Sequence, residues 1–262
     1  MTEQVTTDQS TAGQASRASE TRTVSFRVSR SKRGEAPHHE SFEVPVEART
    51  TVLDAMISIR RHQDPTLTLR HSCFHASCGT CAMRINGREG LACVTNVEEL
   101  GGETVTVDPI ANAGAVISDL VSDMSALFGH YAPIERPLVR PSELGPGSRP
   151  AEGVDELERF EDCIECGICV SVCPISATDA RYLGPAALAA AWRVVVDPRT
   201  SDAQRAMALA DVDHGIWRCH TAFECTEACP SNVDPAGAIM NLRRAAARRR
   251  LRGLLGGSRS ER

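Results

Sequence analysis

Polar and apolar residues alternate early in this chain and fall on helical spacing later. Val24, Phe26 and Val28 alternate with polar neighbours, as do Phe42, Val44 and Val46. Successive strand side chains face opposite ways, so each run predicts a half-buried strand. The polar stretch 31–39 between them predicts a hairpin. Residues 51–61 place Val52, Leu53, Met56, Ile57 and Ile59 on helical spacing, with Thr50 or Thr51 as the N-cap. Leu67 and Leu69 predict a short strand, and residues 82–85 another, which meets the turn dipeptide Asn86-Gly87 before Leu91 returns. Residues 104–107 supply a last strand. Residues 117–128 read as one amphipathic helix, and the chain after Gly153 is helical over 154–160, 185–196 and 201–211. The longest apolar stretch, 183–196, is broken by Arg193 and is too short to span a membrane, which predicts a buried helix.

Two segments break these patterns. Residues 1–22 contain a single branched aliphatic residue, Val5, and are expected to be a disordered tail. Residues 133–150 hold five prolines and two glycines, which predicts a linker or extended segment. Composition adds little. Of 262 residues, 42% are hydrophobic and 24% charged, and the net charge of −5 argues against nucleic acid as a partner. The start of the chain has no apolar stretch of signal-peptide type. A reducing compartment is therefore expected, where clustered cysteines serve metal rather than disulfides.

The cysteines change the picture. Eleven are present, in three groups: Cys73, Cys78, Cys81, Cys93; Cys163, Cys166, Cys169, Cys173; and Cys219, Cys225, Cys229. The first has the spacing of a plant-type [2Fe-2S] site, and the second is the bacterial ferredoxin run ending in Cys-Pro, whose fourth cysteine serves the other cluster of a pair. The third repeats the second 56 residues later, with Ala222 where a cysteine would stand. Strands around one helix with a cysteine loop fit a β-grasp ferredoxin-like domain. The paired runs fit an all-helical, bacterial-ferredoxin-like two-cluster domain. The fold class expected is α+β, with a tail over 1–22, a [2Fe-2S] domain over 23–111, a helical domain over 112–252 and a basic tail over 253–262.

Thiolates suit iron clusters because sulfur is soft and anionic. The competing reading of the first group is a four-thiolate zinc site, but zinc usually draws two C-x2-C pairs and only one is present. If Cys229 crosses to Cys163, Cys166 and Cys169, then Cys173, Cys219 and Cys225 remain, and three thiolates favour a [3Fe-4S] cluster. Water, hydroxide or a nearby side chain could instead fill the fourth corner. His220 directly follows Cys219, which makes its ligation there awkward.

The chain resembles the iron–sulfur subunit of succinate dehydrogenase and fumarate reductase over about residues 24–244. The resemblance is carried by Asp64-Pro65-Thr66-Leu67-Thr68-Leu69-Arg70, the Cys78-Gly79-Thr80-Cys81 segment through Gly87, and Leu91-Ala92-Cys93. Further along it is carried by Cys163-Ile164-Glu165-Cys166-Gly167-Ile168-Cys169, Gly184-Pro185-Ala186-Ala187, Arg218-Cys219-His220 and Asp234-Pro235-Ala236-Gly237-Ala238-Ile239. It implies a [2Fe-2S] cluster on Cys73, Cys78, Cys81 and Cys93, near the FAD of a flavoprotein partner. It implies a [4Fe-4S] cluster on Cys163, Cys166, Cys169 and Cys229, and a [3Fe-4S] cluster on Cys173, Cys219 and Cys225 facing quinone at a membrane anchor that in some members holds haem b. Electrons would pass singly between flavin and quinone. The dicarboxylate chemistry would lie on the partner. The chain would be peripheral, at the cytoplasmic face of the plasma membrane.

By the same resemblance, the quinone-proximal residues are Pro174, Ile175, Thr178, His220 and Ala222. Ubiquinone-using members carry a tryptophan shortly after Cys-Pro, where this chain has Ile175-Ser176-Ala177-Thr178, which leans toward menaquinone. Ala76 replaces a glycine common in the family. The Arg-rich stretch 242–262 reads either as a solvated helix end or as a patch for anionic lipid or an acidic partner. Other readings are the iron–sulfur subunit of a glycolate-oxidase-like or heterodisulfide-reductase-like assembly, and a cluster- or zinc-binding sensor.

Overall fold

The structure, a computed structural model, describes residues 21–32, 35–134, 155–198 and 200–256. Most of the expected N-terminal tail, most of the proline-rich segment and residues 257–262 lie outside the described residues.

Strands β1 (Arg22–Arg30) and β2 (His38–Val46) form the expected hairpin. Their register sets Val24 opposite Val44 and Phe26 opposite Phe42, so the apolar sets of both strands share one buried face. A slip of one residue would turn all of them to solvent. Helix α1 (Val52–His62) covers that face with Val52, Leu53, Ala55, Met56 and Ile59. Thr51 is its N-cap: the Thr51 hydroxyl accepts from Asp54 N–H at 3.1 Å, and the Asp54 carboxylate accepts from Thr51 N–H at 3.0 Å. Strands β3 (Ala82–Ile85) and β4 (Arg88–Leu91) meet at the Asn86-Gly87 turn, and short helix α2 (Val97–Leu100) leads into β5 (Thr104–Pro109). β5 is parallel to β1 and antiparallel to β3, giving the sheet order β2-β1-β5-β3-β4.

A buried cation holds the neighbouring loops to this sheet. Arg30 is only 5% exposed. Its guanidinium donates to Asp119 at 3.2 Å, Glu40 at 2.9 Å and Thr66 at 2.8 Å, and to Asp64. Asp119, fully buried, also accepts from the N–H groups of Ser31 and Thr68 at 3.1 and 2.8 Å. Arg30 holds the Asp64 carboxyl down to about 2, with Thr66 assisting.

This network explains two departures from the sequence reading. Leu67 and Leu69 are buried but form no strand, because Thr68 N–H is used by Asp119 and Thr68 C=O accepts from Leu120 N–H. Residues 117–128 are not one helix. Val116–Ser118 (β6) and Val121–Ser122 (β7) form a small hairpin around Asp119, whose φ is +43°, and α3 (Ser125–Tyr131) begins only after Asp123 accepts from Ser125 N–H. Tertiary pinning of Asp119 overrides the local helical spacing.

The other elements among the described residues are helical: α4 (Asp155–Glu161), α5 (Ile168–Ser171), α6 (Gly184–Val196), α7 (Ala203–Ala210), a 3-10 turn (Ile216–Arg218), α8 (Glu224–Glu227) and α9 (Pro235–Gly256). The apolar run does form a buried helix, α6, whose residues Gly184 to Ala191 are all buried. Ile168 of α5 belongs to the sheet's core, and Met124 packs against both that core and the helical one. Part of the basic stretch is used within the chain. Arg243 donates to Ile216 C=O at 2.7 Å, and Arg250 pairs with Asp211 and lies 4.9 Å over the Trp217 ring. Among the described residues, no helix is long and apolar enough to cross a membrane.

Replacing Arg30 with Leu leaves Asp119 buried without its cation. A loss of about 3–5 kcal/mol of folding stability is expected, read as a lower urea midpoint by circular dichroism.

Candidate iron–sulfur centres

The sheet edge assembles the first group. Cys81 immediately precedes β3 and Cys93 follows β4, and Ala92 N–H donates to Cys81 C=O at 3.1 Å. Between Cys73 and Cys81 the chain coils tightly, with Phe74, Ala76 and Gly79 at φ of +64°, +59° and +69°. These turns direct amides at sulfur: His75 and Ser77 N–H toward Cys73 Sγ at 3.5 and 3.3 Å, and Ala76 N–H toward Cys93 Sγ at 3.3 Å. Thr80 Oγ1 lies 3.1 Å from Cys78 Sγ. Hydrogen bonding from Thr80 is the main cause that brings the Cys78 thiol down to about 6, whereas burial, with Cys93 and Cys78 nearby, pushes Cys81 up to about 12.

The second and third groups are a repeat in conformation as well as in sequence. Glu165 and Thr221, 56 residues apart, both have positive φ, and so do Gly167 and Phe223. Each pair leads into a single helical turn, α5 or α8. The sulfurs regroup across the repeat. Cys163, Cys166, Cys169 and Cys229 line one cavity, walled also by Ala186 and Ala189 of α6. Cys173, Cys219 and Cys225 line another, with Tyr182, Pro185 and Ile239. Burial raises Cys163, Cys166 (to about 11), Cys169 and Cys225 (to about 12), and the sulfurs within each ring reinforce one another. Several thiolates held together away from water need positive charge among them. The donor sets therefore fit iron clusters.

The first loop touches the second ring. A Cβ added to Gly79 would lie 2.6 Å from Ile164 O and 2.8 Å from Cys166 Cβ. Only glycine allows that approach together with φ of +69°.

Comparison with known proteins agrees with this arrangement. Residues 25–129 match the 2Fe-2S iron-sulfur cluster binding domain family, and residues 159–233 match the 4Fe-4S dicluster domain family. The fumarate reductase iron-sulfur subunit of Mycobacterium tuberculosis is 38% identical over 227 residues, covering 84% of this chain and 90% of the relative. The chain belongs to the succinate dehydrogenase/fumarate reductase iron–sulfur subunit family. A chain of the Mycobacterium smegmatis Sdh1 complex in the apo form superposes with a TM-score of 0.77 at 27% identity, over 87% of this chain and 97% of the other. A hypothetical protein from Helicobacter pylori shares the fold at a TM-score of 0.50 and 16% identity, over 84% of this chain and 39% of its own. This iron–sulfur subunit is thus an α+β, electron-relaying component of an oxidoreductase, with 2Fe-2S and 4Fe-4S binding domains.

Of the quinone-proximal candidates, Pro174, Ile175, His220 and Ala222 line the cavity of Cys173, Cys219 and Cys225. Thr178 is not among its lining residues; its hydroxyl lies 3.2 Å from both Pro174 C=O and Ile175 C=O. Sequence reasoning missed Thr80, although a hydroxyl residue within Cys-Gly-Thr-Cys marks such a contact. It also missed Tyr182, one of only two tyrosines in the chain.

Two substitutions in the first loop should act in opposite directions. Gly79→Ala forces the loops apart and should deplete iron at both the first and second rings, seen by iron analysis and EPR. Ala76→Gly relieves a left-handed alanine and should stabilise the subunit by up to about 1 kcal/mol, read as a higher melting temperature.

Proposed function

We propose that this subunit carries electrons one at a time between the FAD of a flavoprotein subunit and a membrane quinone. In this reading Cys73, Cys78, Cys81 and Cys93 hold a [2Fe-2S] cluster. Cys163, Cys166, Cys169 and Cys229 hold a [4Fe-4S] cluster, and Cys173, Cys219 and Cys225 hold a [3Fe-4S] cluster. The observation that supports it is that Cys163, Cys166, Cys169 and Cys229 line one cavity and Cys173, Cys219 and Cys225 another, with the first cysteine loop touching Cys166 at Gly79.

When bound, the clusters supply one-electron chemistry between a two-electron flavin and quinone. The chain's own residues set the conditions. Amides of His75, Ala76 and Ser77 offset negative charge on Cys73 and Cys93. Ala186 and Ala189 of α6 give the middle ring an apolar wall. Cys73 and Cys78 are only partly buried, and Phe74 and Val94 beside the first ring are at least half exposed, a surface suited to the flavoprotein.

At the other end, the Ala222 methyl cannot ligate iron, which favours a three-iron site. Pro174, Ile175 and His220 around that ring form the quinone-proximal wall, with Thr178 just outside it. The segment Ile175-Ser176-Ala177-Thr178, which lacks tryptophan, favours menaquinone. A membrane anchor, with or without haem b, would hold the complex peripherally at the cytoplasmic face.

Low-temperature EPR with iron counting on the purified complex tests this. About nine irons per chain and a three-iron signal in the air-oxidised sample are expected. About ten irons and no such signal would show a filled fourth corner and overturn the third assignment. Ala222→Cys should supply a fourth thiolate, diminish the three-iron signal and raise the iron count. An unchanged signal would mean that Ala222 is not at the open corner.

A further inference from the structure

The chain contains two tyrosines, and both are buried beside cysteine rings. Tyr131, 5% exposed, lies beside Cys163 of the middle ring and interacts with it electrostatically. Tyr182, 3% exposed, lines the cavity of Cys173, Cys219 and Cys225. Its hydroxyl is sealed from solvent and interacts with the Cys219 sulfur, yet has no hydrogen bond of ordinary geometry to any described group. An unpaired buried hydroxyl costs about 1–3 kcal/mol, so this one calls for an acceptor that the protein atoms do not supply.

We propose that Tyr182 sets the reduction potential of the cluster held by Cys173, Cys219 and Cys225, by donating a hydrogen bond from its hydroxyl to a sulfur of that cluster. The inference rests on the assignment of these three cysteines to one cluster.

Several observations favour a donor role. Sulfide and thiolate accept but do not donate, whereas the phenol of Tyr182 carries one proton to give. An ordinary phenol titrates at about 10, so its proton stays on oxygen at neutral pH. Reduction adds one negative charge to the sulfur-bound iron. An O–H dipole pointing at sulfur stabilises the reduced state more than the oxidised one. Phenylalanine would fill nearly the same volume without the dipole. The tyrosine neither gains nor loses an electron, so it is a positioning residue for charge and its effect is read as a potential.

The test is a redox titration of the three-iron EPR signal in the whole complex carrying Tyr182→Phe. The expected result is retained iron and an intact signal, with the reduction equilibrium shifted about tenfold against reduction, which is about 59 mV lower for a one-electron couple. An intact signal at an unmoved midpoint overturns the hydrogen bond and leaves the cluster assignment standing. Absence of a three-iron signal from the wild-type complex overturns the assignment, and the inference with it. Tyr131→Phe is the control and should leave the three-iron midpoint in place. An equal shift there would indicate general loosening and overturn the specific role of Tyr182. If Tyr182→Phe fails to assemble, wild-type complex grown with fluorotyrosine decides. Its more acidic phenol is a stronger donor, so the three-iron midpoint should rise, and an unmoved midpoint overturns the proposal.

Discussion

Mutual repulsion among buried sulfurs is the constraint to which this structure answers. Thiols gathered away from water resist ionisation, and Cys163, Cys166, Cys169 and Cys225 are pushed upward by burial and by neighbouring sulfurs. A ring of this kind is tolerable only with cationic iron inside it and polar hydrogens outside. The chain supplies the outer part locally. It does so by accepting backbone conformations that L-residues disfavour, at Phe74 and Ala76 in the first loop and at Glu165, Thr221 and Phe223 in the repeat. Left-handed geometry costs an ordinary residue about 1–2 kcal/mol. Its concentration around the cysteines shows where folding energy is exchanged for cluster geometry.

The two halves meet this constraint differently. In the first, a sheet and its helix form a rigid frame, with three sulfurs on the loop between α1 and β3 and the fourth just after β4. In the second, single helical turns related by a 56-residue repeat share out their sulfurs, so that neither turn completes a ring alone. The helical half therefore cannot build either site from one copy of its motif. The long helix α6 walls the middle ring and contributes Pro185 to the other.

Much of this was legible in sequence because it is periodic or evenly spaced. Alternation marked β1 and β2, Thr51 marked the start of α1, and the cysteine spacings marked three groups. Where the reading failed, a distant residue had intervened. Nothing near residues 117–128 reveals that Arg30, far back in the chain, pins Asp119 and splits the segment into a hairpin and a helix. The same ion group removed Leu67 and Leu69 from any strand. Thr178 lay close in sequence to the third ring's wall, but a hydroxyl turned back on its own turn takes no part in it. Tyr182 was invisible for the opposite reason: its role depends on a cavity formed by residues from three separate segments.

The contact at Gly79 bears on how such a chain can be divided or recombined. The missing side chain is shared property: its space is occupied by the backbone of Ile164 and by Cys166. A β-grasp module taken from another protein would bring its own loop contour to that surface, and a single methyl group there would hold the two halves apart. The halves look like interchangeable ferredoxins, yet they are keyed to each other at one atom's width, and a chimera joined through the linker alone would inherit both modules without the fit between them.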